Sequence, residues 1–147
     1  MMILQDGSIY QGWHKKGLTN GHGRYISAEG DYYIGQWFDG FKHGKGVYVW
    51  AVGDKYDGEY KLDKRDGHGF FTHRDGSVHE GDYTDDKLHG FGILTYPNGD
   101  RYLSEWNDNE LMSYKLLFDS SSSDGKTQKG GSSATFTPKG SKYDTTE

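Results

Sequence analysis

Polar and apolar residues alternate along much of the chain, but the apolar positions carry rings and glycines where most proteins carry aliphatic side chains. Tyr33, Gly35 and Trp37, for example, alternate with Ile34 and Gln36. A period of two is that of a β-strand, in which every second side chain points to the same face. The pattern therefore predicts strands that place rings and glycines together on one face of a sheet.

A second predicted strand follows the first after a short turn. Asp39 and Gly40 form a turn signal. After it, Gly46, Tyr48 and Trp50 again alternate with other residues and share one face. Two strands of this kind joined by a turn predict an antiparallel β-hairpin.

Glycine normally weakens the interior of a strand, so the paired glycines need a compensating contact. We expect the hairpin to close around residues 38–45. Trp37 would then lie opposite Gly46. Gly35 would likewise lie opposite Tyr48. Each ring would cover a glycine across the strand pair, the arrangement known as aromatic rescue.

The hairpin pattern recurs every 23 residues without insertion. The recurring first residue is Tyr10, Tyr33, Tyr56, His79 and Tyr102. The glycines and turn signals keep the same phase through the first four of these units. A fixed period of this length indicates a repeat array, in which each unit packs on its neighbours. We therefore predict an all-β fold, an antiparallel sheet of consecutive 23-residue hairpins.

The period also divides the chain into a repeat body and a tail. The predicted body spans residues 1–118: half a repeat over 1–9, full repeats starting at 10, 33, 56 and 79, and a degenerate capping repeat over 102–118 that has lost its glycines. Residues 119–147 are rich in serine, glycine and lysine, which predicts a tail that is disordered alone or ordered by a partner. Its only rings, Phe136 and Tyr143, are its candidate anchors.

Composition narrows the classes of protein further. Apolar residues make up 32% of the chain, against roughly 45–50% in ordinary globular domains, so a thick aliphatic core is not expected. The net charge is −5, and all of it falls on the repeat body because the tail is balanced. An acidic body argues against nucleic-acid binding, and it disfavours contact with anionic membranes.

The chain has no cysteine, no stretch like a signal peptide and no apolar run near the roughly 20 residues of a membrane helix. We therefore expect a soluble, intracellular protein. His43 and His89, like His22 and His68, stand two repeats apart, so each pair should be separated by about 19 Å. That separation is too long for a shared metal ion, and we predict no metal site and no cofactor.

The repeated Y-x-G-x-W/Y pattern, followed by G-x-G and ending in G-D or G-S, resembles the MORN repeat. YIGQWFDGFKHGKGVYVWAVGDK, residues 33–55, is the copy that follows the pattern most fully, and the resemblance extends from residue 1 to about 118. It implies a single-layer twisted sheet with a long groove on one face. It also implies that the chain has no catalytic activity of its own, which agrees with the absence of any local nucleophile or nucleotide-binding motif.

The aromatic face is the candidate binding site. We expect its rings to form a ladder that lines a partner-binding groove, consisting of Tyr33, Trp37, Tyr48, Trp50, Tyr56, Tyr60, Phe71, Tyr83, Tyr96, Tyr102 and Trp106. Exposed aromatic surface often marks a binding site, because such rings anchor interfaces. The same rings could instead only stabilise the sheet through cross-strand packing, and both roles can coexist.

These observations leave three functional hypotheses. The first is a non-enzymatic scaffold or adaptor that binds a larger protein complex, and short proteins similar to this one suggest a cytoskeletal assembly such as a cilium or axoneme. The second is a membrane-associated module that contacts phosphoinositides, which the acidic body disfavours. The third is a targeting segment of the kind found on lysine methyltransferases or lipid kinases. A homo-oligomer is also allowed, since an exposed last strand can pair with another copy.

Overall fold

The computed structural model describes residues 1–122, which form one antiparallel sheet of eleven strands. The strands are β1 (Met2–Ile3), β2 (Ile9–Lys15), β3 (Leu18–Ile26), β4 (Tyr32–Phe38), β5 (Phe41–Val49), β6 (Lys55–Lys61), β7 (Lys64–Thr72), β8 (Val78–Thr84), β9 (Lys87–Thr95), β10 (Arg101–Asn107) and β11 (Glu110–Phe118). They lie across the sheet in chain order, so each strand pairs only with its neighbours in sequence. The prediction of a sheet built from consecutive hairpins is confirmed.

Two-residue turns close the hairpins at one side of the sheet. Asp39 and Gly40 have φ of 44° and 88°, and Asp85 and Asp86 have φ of 48° and 73°. Positive φ at both central residues is the signature of the type I′ turn, whose twist matches that of paired strands. Aspartate and glycine tolerate this conformation better than most residues, which explains why acidic and glycine residues recur at these turns.

The predicted pairing of the hairpin was wrong. Phe38 lies directly opposite Phe41, so the loop is much shorter than residues 38–45. Gly35 pairs with Gly46 instead of Tyr48. The reason is a β-bulge at Gly44, which has φ of 88° and takes up the extra residues between the turn and the glycine pair.

The corrected pairing produces two continuous rows across the sheet. We call the first the glycine row: Gly12, Gly23, Gly35, Gly46, Gly58, Gly69, Gly81, Gly92 and Ser104, each opposite the next. The second, the ring row, consists of Tyr10, Tyr25, Tyr33, Tyr48, Tyr56, Phe71, His79, Leu94 and Tyr102. Members of the two rows stand two residues apart on each strand, so both rows occupy the same face, here called the ring face.

Each hairpin turn is bonded to the hairpin before it. The backbone N–H of Asp63 donates to the carbonyl of Lys42 at 2.9 Å, and the Asp63 carboxylate accepts from the Lys42 N–H at 2.8 Å. The same backbone bond joins Gly40 to Thr19, Asp86 to Arg65, and Asn109 to Leu88. We call these bonds the turn clasps. They fix the spacing of successive hairpins in addition to the ladder of strand pairing.

The last hairpin departs from the others. Ser104 pairs with Tyr114, one residue short of the partner that the period predicts, Lys115. Ser113 stands where the earlier repeats have the positive-φ bulge glycine, and it has no positive φ. A lysine at the glycine-row position would also crowd the ring of Tyr102. The strand therefore slips by one residue, which brings Tyr114 within 6.2 Å of the Tyr102 ring.

The core of this single-layer protein lies on the ring face. Tyr33 and Tyr56 are fully buried at 0% exposure, and Tyr10 is 1% exposed. Rings take the place that aliphatic side chains have in a two-layer domain, because each hairpin covers its neighbour instead of a second sheet. Within residues 1–122, no helix has the length and apolar character needed to cross a membrane.

Candidate functional site

Every second member of the ring row covers two members of the glycine row, one on its own strand and one on the paired strand. A Cβ atom added at Gly35 would lie 2.5 Å from the hydroxyl of Tyr33, and one at Gly46 would overlap the same ring. The Tyr33 hydroxyl donates to the carbonyl of Gln36 at 2.8 Å. Glycine is therefore required because the ring lies flat over the backbone. The sequence predicted that a ring covers Gly46, but it assigned this role to Trp37 instead of Tyr33.

The same geometry recurs in the neighbouring repeats. Tyr10 donates to the carbonyl of Trp13 at 3.0 Å, and Tyr56 donates to that of Glu59 at 2.9 Å. His79 takes this place in the fourth repeat and lies against Gly81. Each repeat thus carries one ring locked across its own glycine pair.

A second ring from each repeat stacks on edge against the first. Tyr60 meets Tyr33 at 5.4 Å and Tyr56 at 5.3 Å between ring centroids, with interplanar angles of 86° and 88°. Tyr83 contacts Tyr56 in the same way at 5.2 Å. These edge-to-face contacts are the favourable geometry for aromatic pairs. They connect one repeat to the next through side chains on the ring face.

Basic side chains are inserted between these rings. The Lys42 ammonium lies 4.7 Å from the centroid of Tyr48, 5.3 Å from Tyr60 and 5.7 Å from Tyr33. Burial lowers the pKa of Lys42, while the nearby Asp63 carboxylate opposes that shift. Lys42 is thus a cation held in an aromatic cage, and it does not contribute to a surface basic patch.

Arg65 occupies the equivalent cage one repeat later. Its guanidinium lies 5.0 Å from the centroid of Tyr83, 5.8 Å from Tyr56 and 5.9 Å from Phe71. Its Nε also donates to the Asp86 carboxylate at 2.6 Å. Sequence reasoning missed both cations, although their spacing of one period was a usable signal.

Burial also affects the acidity of the rings. It raises the pKa of Tyr83 to about 12, and it raises the pKa values of Tyr33, Tyr56 and Tyr60 well above their ordinary range. These four hydroxyls remain protonated at neutral pH. Those of Tyr33 and Tyr56 donate hydrogen bonds to backbone carbonyls, whereas the buried Tyr83 hydroxyl has no hydrogen-bond partner among the described residues. These rings are therefore neutral and lie beside the embedded cations.

The predicted groove residues divide into two sets. The buried set lies in the core and consists of Tyr33, Tyr56, Tyr60, Phe71, Tyr83 and Trp106. The half-buried set retains accessible surface and consists of Trp37, Tyr48, Trp50, Tyr96 and Tyr102. The buried set stabilises the sheet and is inaccessible to a partner, so only the half-buried set can contact one directly. Partner binding itself stays a prediction. The tail anchors Phe136 and Tyr143 lie outside the described residues.

Sequence reasoning also missed an exposed apolar group at the hairpin turns. Phe38 and Phe41 face each other at the tip of their hairpin and are 51% and 44% exposed. Leu18 and Leu62, on the turns before and after, are similarly exposed. We call these four residues the tip patch. A signal existed in the sequence, since the position of Phe38 holds lysine or a polar residue in the other repeats, and that of Phe41 holds Leu18, lysine or glutamate.

Charged residues gather on the opposite face near the middle of the sheet. His68 lies 3.1 Å from a carboxylate oxygen of Asp82 and 3.2 Å from one of Glu80. The hydrogen bond to Asp82 is the main cause that raises the pKa of His68. In the described part of the chain, no set of three or more histidine, aspartate or glutamate residues is arranged to hold a metal ion.

Comparison with known protein families assigns the repeat. The MORN-repeat family model matches residues 10–32, 33–55, 56–78 and 79–101. These four matches cover more than half of the chain, so the protein belongs to the MORN-repeat family. The MORN repeat is a non-enzymatic repeat module that generally binds proteins or membranes. A search of curated proteins gave no significant match to the chain.

Proposed function

We propose that this protein is a non-enzymatic scaffold that binds a segment of another protein on the ring face. The observation that carries the proposal is a run of accessible rings along that face. Between ring centroids, Tyr48 and Trp50 lie 4.6 Å apart, and Tyr96 and Tyr102 lie 5.7 Å apart. Half-buried tryptophan and tyrosine supply large apolar contact area at little cost in side-chain entropy, so they are typical anchors of protein interfaces.

The composition of the ring face supports a binding role over catalysis. Catalysis requires different groups that converge on one point. Here rings and glycines recur at intervals along the sheet, with a cation among the rings at Lys42 and Arg65, which suits an extended ligand that contacts several repeats. The proposed partner is a component of a larger cytoskeletal assembly, of which a cilium or axoneme is an example.

Affinity capture from native cell extract with a Trp37→Ala/Trp50→Ala variant tests the proposal. We expect the wild-type protein to recover a defined set of cytoskeletal proteins and the variant to lose them at least several-fold. Trp13→Ala is the matched control, because Trp13 is 74% exposed yet lies outside the accessible run. Circular dichroism must show both variants folded. Equal recovery with the wild type and the double variant would reject the ring face as the binding site.

The tip patch favours a second candidate function, contact with a phosphoinositide membrane. Phe38 and Phe41 are exposed at one turn, and exposed lysines flank them on the neighbouring turns, including Lys15 and Lys61. Apolar rings beside basic residues suit the interface of an anionic bilayer, where each lysine near the surface contributes about 1 kcal/mol. The net charge of −5 opposes this contact over the rest of the body.

Sedimentation with phosphatidylcholine vesicles, with and without a phosphatidylinositol phosphate, tests the membrane candidate. We expect a Phe38→Ser/Phe41→Ser variant to bind several-fold less than the wild type. Phe91→Ser is the control, since Phe91 is 63% exposed but lies away from the tip patch. The same low binding for wild type and variant on both vesicles would reject this candidate.

A further inference from the structure

One position recurs inside each cage of the ring face, and its occupant changes along the array. We call it the slot position; it is the second residue of the returning strand in each hairpin. Its occupants are Thr19, Lys42, Arg65, Leu88 and Leu111. Lys42 and Arg65 each lie within 6 Å of three ring centroids. The first slot differs because a short neutral side chain occupies an aromatic site.

The first slot has rings at the same three positions as the cation-filled slots, and two of them, Tyr25 and Trp37, also contact each other at 6.3 Å between centroids. Its equivalent rings are Tyr10, Tyr25 and Trp37. The centroids of Tyr10 and Trp37 lie 5.4 Å apart with an interplanar angle of 87°. The corresponding Tyr33 and Tyr60 of the Lys42 slot lie 5.4 Å apart at 86°. Tryptophan is the ring that binds cations most strongly, so the first slot has at least as favourable a wall as the second.

Thr19 leaves this cage without a cation. Its side chain ends at Cγ2 and Oγ1, several bonds short of the ammonium that Lys42 places among the rings. The Thr19 Oγ1 atom is buried and has no hydrogen-bond partner among the described residues. A buried hydroxyl oxygen without a partner is costly, and an ammonium donor would satisfy it. Tyr10 is 1% exposed, whereas Tyr25 and Trp37 are only half-buried, so an external group would reach the cage from the side of Tyr25 and Trp37.

The polar surroundings favour an ammonium over a guanidinium. In the Arg65 slot, Asp86 of the next hairpin turn binds the guanidinium through its carboxylate and its carbonyl. The first slot has Gly40 at that turn position and so lacks the carboxylate that a guanidinium fork uses. Lys42 shows that an ammonium can be held by rings of this arrangement, there with the Asp63 carboxylate nearby.

We propose that the cage formed by Tyr10, Tyr25 and Trp37 is a binding site for an alkylammonium group, supplied by a lysine side chain of a partner protein. The partner's lysine would occupy the place that Lys42 fills from within the chain one repeat later. The body charge favours a basic partner, since the whole chain carries −5. This inference specifies the partner chemistry of the proposed scaffold function, while the cage itself can be tested without any partner.

Titration with n-butylammonium, followed through the indole N–H signal of Trp37 in a ¹H–¹⁵N NMR spectrum, tests the cage. We expect a saturable shift of that signal. n-Butanol is the matched neutral probe and should cause little change. An equal shift with butanol would overturn the proposal, because the site would then be apolar only. Absence of a saturable shift with butylammonium would overturn it as well.

Thr19→Lys provides the decisive variant, since it should fill the slot from within the chain and abolish the butylammonium shift. Tyr25→Leu provides a second test in case the lysine variant does not fold. It removes one wall of the cage, keeps the Trp37 reporter and should weaken butylammonium binding several-fold. Unchanged binding in a folded variant of either kind would place the probe elsewhere and overturn the cage. Affinity capture with Thr19→Lys then separates the two proposals. If the variant still recovers the partner although its cage is filled, the scaffold function stands and the proposal of a partner lysine in the cage is rejected.

Discussion

At the scale of single residues, glycine serves two distinct purposes in this sheet. Gly35 has an ordinary strand conformation but no space for a Cβ, because the hydroxyl of Tyr33 would lie 2.5 Å from it. Gly90 has open space around it but a φ of 78°. The first is required by packing and the second by backbone conformation, although the two look alike in the sequence.

Alanine and asparagine substitutions should distinguish these two purposes. At Gly90, we expect alanine to cost about 1–2 kcal/mol and asparagine less, because asparagine tolerates positive φ. At Gly35, alanine should cost about 1–3 kcal/mol through overpacking, and the larger asparagine at least as much. Chemical denaturation of the four variants measures this. If the loss of stability ranked alanine and asparagine in the same order at both sites, the distinction would be contradicted.

His79 stands at a ring-row position where other repeats have tyrosine. Its imidazole makes the stability of the protein depend on pH. Burial lowers its pKa from 6.5 to about 4. Above pH 6.5 the imidazole is neutral in both the folded and the unfolded chain. Below that pH the unfolded chain binds a proton that the folded chain resists, so the free energy of unfolding falls as the pH drops toward 4. The shift corresponds to roughly 3 kcal/mol over this window.

His79→Tyr should remove this contribution, because tyrosine fills the same place in the four other repeats. We expect the free energy of unfolding of the variant to lose less between pH 7 and pH 4 than that of the wild type, by denaturant titration at each pH. His68→Gln is the control: the pKa of His68 is raised, so its stabilising contribution is present below the unfolded pKa and is lost as pH rises. Equal pH dependence of wild type and His79→Tyr would contradict the assignment.

At the scale of the hairpin, strand register depends on the bulge glycine. Repeats with Gly21, Gly44, Gly67 or Gly90 at the bulge align their glycine pairs, and all four glycines have positive φ. The last hairpin has serine there and slips by one residue. A single backbone position thus decides which side chains of the following strand reach the ring face.

A Ser113→Gly/Lys115→Gly variant should restore the regular register of the last hairpin. The first substitution allows the positive-φ bulge, and the second removes the side chain that would crowd Tyr102. We expect the cross-strand partner of Ser104 to change from Tyr114 to residue 115, as measured by inter-strand Hα and amide NOEs. Lys115→Gly alone should keep the present pairing. A double variant with unchanged NOEs would show that the bulge does not set the register.

The strands and their order could be predicted from the sequence, but the register in which they pair could not. The period and the Asp39-Gly40 turn predicted the hairpins and their order, which the structure confirms. The pairing failed because spacing does not reveal that Gly44 adopts positive φ while Gly46 is covered by a ring. The role of Lys42 was missed for a different reason: alternation from Gly46 and Tyr48 places it on the ring face, but a lysine is ordinarily expected to face solvent.

At the scale of the whole molecule, the sheet is a one-dimensional array. Each strand pairs only with its sequence neighbours, and the rings pack from one hairpin to the next. Stability in such arrays is approximately a sum of repeat and interface terms, so a local change should be felt mainly by adjacent repeats. The fully buried rings Tyr33 and Tyr56 lie near the middle of this array.

Amide hydrogen exchange should show this organisation directly. We expect the slowest exchange in β5, β6 and β7, and the fastest in β1 and β11, because edge strands are paired on one side only. Gly35→Ala should accelerate exchange in β3, β4 and β5 far more than in β9 and β10. Uniform protection across the sheet, or uniform loss of it in the variant, would contradict a one-dimensional array.

The turn clasps impose an order on folding while the chain is being synthesised. Each clasp joins Thr19, Lys42, Arg65 or Leu88 to a turn that lies about 20 residues later in the chain. During synthesis on the ribosome, a hairpin can pair its own strands as soon as they emerge, but its clasp forms only when the next hairpin has been made. We expect nascent chains to mature from the N-terminus with a delay of one repeat. All pairing is local in sequence, which is the condition for rapid folding.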